Sequence, residues 1–215
     1  LQDLMTAARF GGVIVGVETP NEEILANIRK TQNVRNPIFE SITNIMNNGL
    51  PVVGTFMLGF DGETKGAGQR IANLVETANV PLALLSTLTA IPRTSLWDRL
   101  KQEGRLLEGV DGFDGWMGGQ TNFVPTRPAE EIREEYIKLW DYLYEPSRYL
   151  HRVYRCFLNM RPTRKALAGK QGVKVADKKA SLPFRDVVTE LRGAALFFWI
   201  FGIRSPERVQ FWRQF

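Results

Sequence analysis

The sequence predicts an α/β fold: a small parallel sheet of about three strands, followed by an all-helical C-terminal part. Three observations predict it. Apolar runs over residues 13–17, 52–58 and 82–88 each end in a polar or glycine-rich turn. Helical patterns separate these runs. After residue 128 only helical periodicity is left. Near-continuous apolar strands alternating with helices imply a parallel sheet buried on both faces. In such sheets ligands sit beyond the carboxyl ends of the strands. Chemistry is therefore sought in the turns over residues 18–23, 59–64 and 89–94.

Each element has a local reason. Residues 1–5 open in helical register, and Gly11-Gly12 stops them before the first strand. Residues 21–30 read as a helix, with Glu22 and Glu23 suited to its positive N-terminus. Asn36-Pro37 restarts a helix over 37–48, with Ile38, Ile42 and Ile45 on one face and Gly49 as its stop. The pattern over 64–78 predicts a helix with Ile71, Leu74 and Val75 inward and Thr64 as N-cap. A third strand runs over 81–90, and a short helix over 95–104 ends at Gly104. Crossovers are right-handed by default, so these pieces fit one arc of a barrel or one half of an open sheet.

Residues 106–128 are rich in Gly, Asp and aromatics and lack periodicity. Loops of that length are usually functional or disordered; Trp116 and Phe123 argue for order. Pro128 starts an amphipathic helix with Ile132, Tyr136, Leu139, Trp140 and Leu143 at helical spacing. A basic helix follows over 146–160, with Tyr149, Val153, Cys156 and Phe157 on one side. Residues 161–181 read as a Lys/Gly-containing linker, and helices are expected over 184–203 and 206–215. The apolar run 194–201 is far shorter than the roughly 20 residues a bilayer span needs, so no transmembrane segment is expected.

The chain of 215 residues is long enough for a sizeable core. Its single cysteine, Cys156, excludes an internal disulfide framework and a multi-thiolate metal site within this chain. A start without a signal peptide and a cytoplasmic location are expected. The start at Leu1, already in helical register, reads as the middle of a longer protein. The net charge of +5 hides an asymmetry. Residues 1–145 carry 13 Lys/Arg against 19 Asp/Glu, while residues 146–215 carry 15 against 4. That change suggests a boundary near Pro146. The basic part could face nucleic acid, an anionic membrane surface or an acidic neighbouring domain, or be a solvated helical surface.

Glu18 is the strongest single candidate for function. It ends an apolar strand, where a carboxylate can accept hydrogen bonds from hydroxyls or an ammonium; it could equally cap the next helix or pair with a basic side chain. The 59–64 turn lets backbone approach a ligand closely, and is also compatible with an ordinary turn. Lys30 could balance Glu18, bind a carboxylate or serve the helix dipole. His151, the only histidine, assembles no catalytic set. No phosphate-binding glycine loop is present, and Gly66-Ala67-Gly68 has the wrong placement for a dinucleotide fingerprint.

Three segments resemble a known family. Gly16-Val17-Glu18-Thr19-Pro20-Asn21-Glu22-Glu23, Lys30-Thr31-Gln32-Asn33 and Gly54-Thr55-Phe56-Met57-Leu58-Gly59-Phe60-Asp61 resemble the second half of a radical S-adenosylmethionine barrel. The resemblance is to the group that carries an N-terminal cobalamin-binding domain and includes hopanoid methylases. Ala90-Ile91-Pro92-Arg93-Thr94 looks like that group's sixth-strand exit, with Arg93 in place of the usual glycine. Glu103-Gly104-Arg105, Thr121-Asn122-Phe123-Val124-Pro125 and Leu143-Tyr144-Glu145-Pro146 resemble its helical C-terminal extension.

The resemblance implies the C-terminal half of a partial (β/α)6 TIM-type barrel over 1–105, a Gly/aromatic loop over 106–127 and a basic helical extension over 128–215. It implies S-adenosylmethionine as cofactor, cleaved at a [4Fe–4S] cluster to give a 5′-deoxyadenosyl radical. It also implies methylation of an unactivated, lipid-like carbon with cobalamin bound by an upstream domain. Glu18 and Thr19 would contact the cofactor, Glu18 through the ribose hydroxyls. Gly54, Phe56, Leu58 and Gly59 would lie against its adenine. Lys30, Gln32, Asp61, Pro92, Trp116 and Phe123 would line the substrate pocket. The cluster's C-x3-C-x2-C loop is absent from this chain, so its ligands are expected in an upstream barrel half of the same polypeptide. The expected partners are thus that half, the cobalamin domain and a small-molecule or lipid substrate. The basic C-terminus would touch the inner face of the membrane. Two other readings are a cluster-less scaffold module and an RNA-modifying enzyme; nucleic acid stands behind lipid as partner.

Overall fold

The computed structural model describes residues 1–8, 10–30, 37–107 and 119–170, with residues 188, 191, 192, 195, 198–204, 208, 209 and 212 of the C-terminal segment. Helix α1 (Gln2–Ala7) precedes strand β1 (Val13–Glu18) and helix α2 (Glu22–Asn27). Helix α3 (Ile38–Asn47), strand β2 (Val52–Leu58), helix α4 (Ala67–Thr77), strand β3 (Leu82–Thr87) and helix α5 (Ser95–Gln102) continue the alternation. Two longer helices follow, α6 (Ala129–Leu143) and α7 (Pro146–Lys170), and Phe198–Arg204 forms a π-helical segment. The sheet is parallel throughout, in the order β1-β2-β3. This is the mixed α/β architecture the alternation predicts.

Among the described residues only one sheet face is packed. Val17, Val52, Phe56, Leu58, Ala83 and Leu85 are buried against helices. The opposite face carries Ile14, 73% exposed, and Leu84, 43% exposed, with Val53, Thr55 and Met57 half-buried between them. The register aligns Ile14 with Val53, and Thr55 with Leu84. The expectation of a sheet buried on both faces is therefore corrected. Among the described residues α3, α4 and α6 cover the face that carries Phe56, and the strand apolarity that signals two covers meets only one.

The two long helices share that core. Ile132, Tyr136, Leu139 and Leu143 of α6 and Cys156 of α7 belong to the same buried cluster as the β2 side chains. Arg152 of α7 is fully buried. Its guanidinium donates to the Val80 carbonyl (2.8 Å), the Leu143 carbonyl (2.8 Å) and Glu76 (2.7 Å). The Tyr144 hydroxyl meets the amide and carbonyl of Ala83 on the outer edge of β3. It gives the unpaired edge backbone the partners it needs.

Three local expectations change. Helix α4 starts at Ala67, not at Thr64. Gly66 takes the cap position at φ +85°, and Thr64 instead accepts a hydrogen bond from Arg70. Helix α7 runs on to Lys170 through residues expected to be linker. Arg164, Lys165, Ala166, Leu167 and Ala168 are strong helix formers, and they carry the helix past Pro162. Phe157, expected on one side of the helix with Cys156, parts from it and is 51% exposed, because the buried face of α7 follows Arg152, Cys156 and Met160.

Candidate functional site

The carboxyl ends of the strands place Glu18, Gly59 and Thr87 along one edge of the sheet. Glu18 is the last residue of β1 and only 9% exposed. Its backbone lies in the left-handed region at φ +68°, where the register with β2 shifts. A non-glycine residue there costs of order 1 kcal/mol, so the surroundings hold it. One carboxylate oxygen, Oε1, accepts from the Lys30 ammonium, which also donates to the Gly16 carbonyl at 3.3 Å. The other, Oε2, is buried with no hydrogen-bond partner among the described residues. Glu18 does not cap the next helix. Asn21 does, accepting from the amides of Glu23 and Ile24. Thr19, also buried, binds the Asn21 amide through its hydroxyl.

The turn after β2 is built around Gly59 at φ +97°. Its amide donates to Glu63 Oε2 at 2.9 Å. Arg127, just before α6, reaches Glu63 at 3.3 Å and Glu135 of α6 at 2.8 Å. Glu135 in turn accepts from the amides of Gly66 (2.8 Å) and Gly68 (3.1 Å), capping α4 from another element. One guanidinium thus serves two carboxylates. Burial pushes the Glu63 carboxyl up to about 7, against the Gly59 amide and Arg127, which favour its charge. Burial also acts on Glu135, but its two amides and Arg127 outweigh it and hold the carboxyl below the usual range.

Asp61, in the same turn, is already engaged. Arg105 grips both its oxygens at 2.7 and 3.1 Å, and Arg99 adds a contact at 2.9 Å. The Arg105 hydrogen bonds hold the Asp61 carboxyl below its ordinary value. A bidentate guanidinium is a strong partner, so this side chain ties the turn to α5 rather than standing free for substrate.

The other expected site residues divide. A Cβ on Gly54 would meet the Phe56 ring at 2.8 Å. The missing side chain therefore makes room for that ring within the helix-covered core. Phe56 and Leu58 are 1% exposed on the same face. These three can offer a ligand backbone only; Thr55 and Met57 carry side chains on the open face. Phe123 is 1% exposed and packs with Ala90 and Leu100, so it is a core residue rather than a pocket wall. Pro92 is exposed in the turn after β3, where Arg93 adopts φ +68°, a conformation glycine takes without cost. Gln32 and Trp116 lie outside the described residues.

Sequence reasoning missed Glu63, Arg127 and Glu135. It also missed Asn122, whose side-chain amide clamps the Ala90 amide and carbonyl, both at 2.8 Å. Among the described residues no group of His, Cys, Asp and Glu could hold a metal ion. Cys156 is buried with Sγ 3.8 Å from Met46 Sδ.

Residues 94–215, more than half of the chain, match the family described as "Domain of unknown function (DUF4070)". The chain belongs to this family. It is a C-terminal domain of cobalamin-binding radical S-adenosylmethionine enzymes, the subgroup the quoted motifs resemble. Similarity extends beyond it along the chain. An uncharacterized methyltransferase of Synechocystis sp. is 39% identical over 214 residues, covering 99% of this chain and 37% of that protein. The hopanoid C-2 methylase of Rhodopseudomonas palustris is 27% identical over 216 residues, covering 98% and 37%. The bacteriochlorophyllide d C-12(1)-methyltransferase of Chlorobaculum tepidum is 24% identical over 140 residues, covering 65% and 30%. The DUF4070 chain thus spans 37% of the length of the first two curated relatives.

Proposed function

We propose that this chain is part of a radical S-adenosylmethionine methyltransferase that acts on an unactivated carbon of a lipid-like substrate. The observation that carries the reading is the 39% identity to a methyltransferase along 99% of the chain. The hopanoid C-2 methylase, similar along 98% of the chain, supports a lipid-like acceptor. In this reading residues 1–105 are the second half of a partial (β/α)6 barrel, whose first half would cover the open sheet face and pair with β1. Residues 128–215 form its helical extension.

The described residues fit S-adenosylmethionine in one respect that can be tested. Glu18 presents a buried carboxylate oxygen without a partner among the described residues, at the carboxyl edge of the sheet. Such an oxygen needs a donor, and the ribose hydroxyls or the ammonium of the cofactor supply one. Lys30 holds the other oxygen and so fixes the rotamer. The bound cofactor supplies the methyl group and the adenosyl group. The described residues do not fit an iron–sulfur cluster. In this reading the [4Fe–4S] cluster and cobalamin are held by other parts of the polypeptide.

The test uses the intact protein. Glu18→Ala should weaken S-adenosylmethionine binding about tenfold or more, the worth of a hydrogen bond to a charged group. Iron content should stay unchanged. Unaltered affinity would refute the role of Glu18. Absence of labelled methyl transfer from S-adenosylmethionine to any lipid fraction, with cobalamin and reductant supplied, would refute the reaction.

A further inference from the structure

We infer that α7, with the exposed described residues of the C-terminal segment, forms a docking surface for an anionic lipid bilayer. The inference goes beyond methyl transfer and does not depend on it.

The helix carries the argument. Over its 25 residues α7 holds seven Lys or Arg and no Asp or Glu. One face packs inward through Arg152, Cys156 and Met160. The outward face carries His151, Tyr154, Arg155 and Leu158 at helical spacing, with Phe157 beside them. Tyr154 is 45%, Phe157 51% and Leu158 43% exposed. A helix with bulky apolar side chains among basic ones, and no acidic residue, has the composition of an interfacial helix. The described residues of the C-terminal segment repeat the pattern. Trp199, Ile203 and Trp212 are each more than half exposed, and the same stretch of sequence carries the exposed Arg204 and Arg208. The Phe198 and Trp212 rings stack at 5.9 Å. No helix among the described residues is long and apolar enough to cross a membrane, so the geometry fits lying on a bilayer rather than spanning it.

Charge selects the occupant. Residues 146–215 carry a net +11. Each Lys or Arg near an anionic membrane adds attraction worth about fivefold in binding. Nucleic acid would answer the charge, but it gives no role to exposed Leu158 and Ile203. Trp and Tyr at such a surface have an apolar body and a polar tip, which suit the headgroup region.

The test is flotation of the intact protein with phosphatidylcholine vesicles, with and without phosphatidylglycerol. The expected result is binding to the phosphatidylglycerol vesicles, weakened by salt, and little binding to phosphatidylcholine alone. Tyr154→Ser with Leu158→Ser should lower binding roughly tenfold, and Arg155→Gln about fivefold. Both changes lie on the outward face, and an unchanged thermal unfolding midpoint checks the fold. If the serine variant unfolds, Arg155→Gln carries the test alone. Equal binding to both vesicle types, binding to neither, or variants that bind like the wild type would overturn the inference. Binding to single-stranded RNA without binding to vesicles would overturn it in favour of nucleic acid.

Discussion

Replacing Glu63 with glutamine should remove a pH dependence from the stability of this domain. The Glu63 side chain is 1% exposed, and burial pushes its carboxyl from 4.5 to about 7. The cause is visible in the cluster. Arg127 is shared, and Glu135 also has two backbone amides, so the proton goes to Glu63. The folded state therefore holds this proton more firmly than the unfolded chain does. The stability it contributes is fully present below pH 4.5 and is lost as the pH rises through about 7. A shift of that size corresponds to about 3 kcal/mol, a large part of the roughly 5–15 kcal/mol that holds a domain together. Glutamine keeps the shape and cannot ionise. Urea unfolding of both proteins between about pH 5 and about pH 8 reads the effect. The stability difference should move toward the variant by about 2.5 kcal/mol across that range, since the unfolded carboxyl is already mostly ionised at the lower end. A difference that stays constant would refute the reasoning, since it would mean that Glu63 binds its proton equally in the folded and unfolded states.

Arg152→Ala should cost about 3–5 kcal/mol in urea unfolding, because it strips a fully buried guanidinium from two carbonyls and leaves Glu76 unpaired. Asn122→Ala should cost about 2 kcal/mol by the same measurement, since the buried amide and carbonyl of Ala90 both lose their partner. Lys30→Met should lower stability by about 1 kcal/mol, a figure reduced because Lys30 is 30% exposed. Added S-adenosylmethionine should raise its thermal midpoint more than the wild type's if the ligand supplies the missing donor, and calorimetry reads both values.

The strands were legible because their apolar runs are local and end in turns. The parallel sheet followed from the helical spacers between them. Glu18 was legible as the first polar residue after an apolar strand. Its left-handed backbone was not, since sequence predicts such a conformation chiefly at glycine. Phe56, Leu58 and Phe123 were harder to place. Which face of a strand meets the helices depends on what covers the other face, and the described residues supply one cover only. The Glu63–Arg127–Glu135 cluster had no local signal, because its members are 64 and 8 residues apart. Each reads alone as an ordinary surface charge. The same holds for Arg152, 76 residues from its carboxylate partner.

Arg152 apart, the long-range pairs act at the carboxyl ends of β2 and β3. The turn after β2 is gripped twice: at Gly59 through Glu63 and Arg127, and at Asp61 through Arg105 and Arg99. The chain after β3 is gripped at Ala90 by Asn122 and at Thr87, whose hydroxyl donates to the Gln120 carbonyl at 2.8 Å. Arg105, Gln120, Asn122 and Arg127 all come from residues 105–127, which carry no regular helix or strand among those described. So the segment without periodicity is the one that fixes the carboxyl edges of β2 and β3. Beyond β1 the arrangement differs. Glu18 is held by Lys30 alone among the described side chains, with one oxygen left over. A rigid pair of turns beside one carboxylate with spare hydrogen-bonding capacity suits a ligand seated across the strand ends. The ligand would complete the β1 side, while residues 105–127 keep the β2 and β3 sides in place before it arrives.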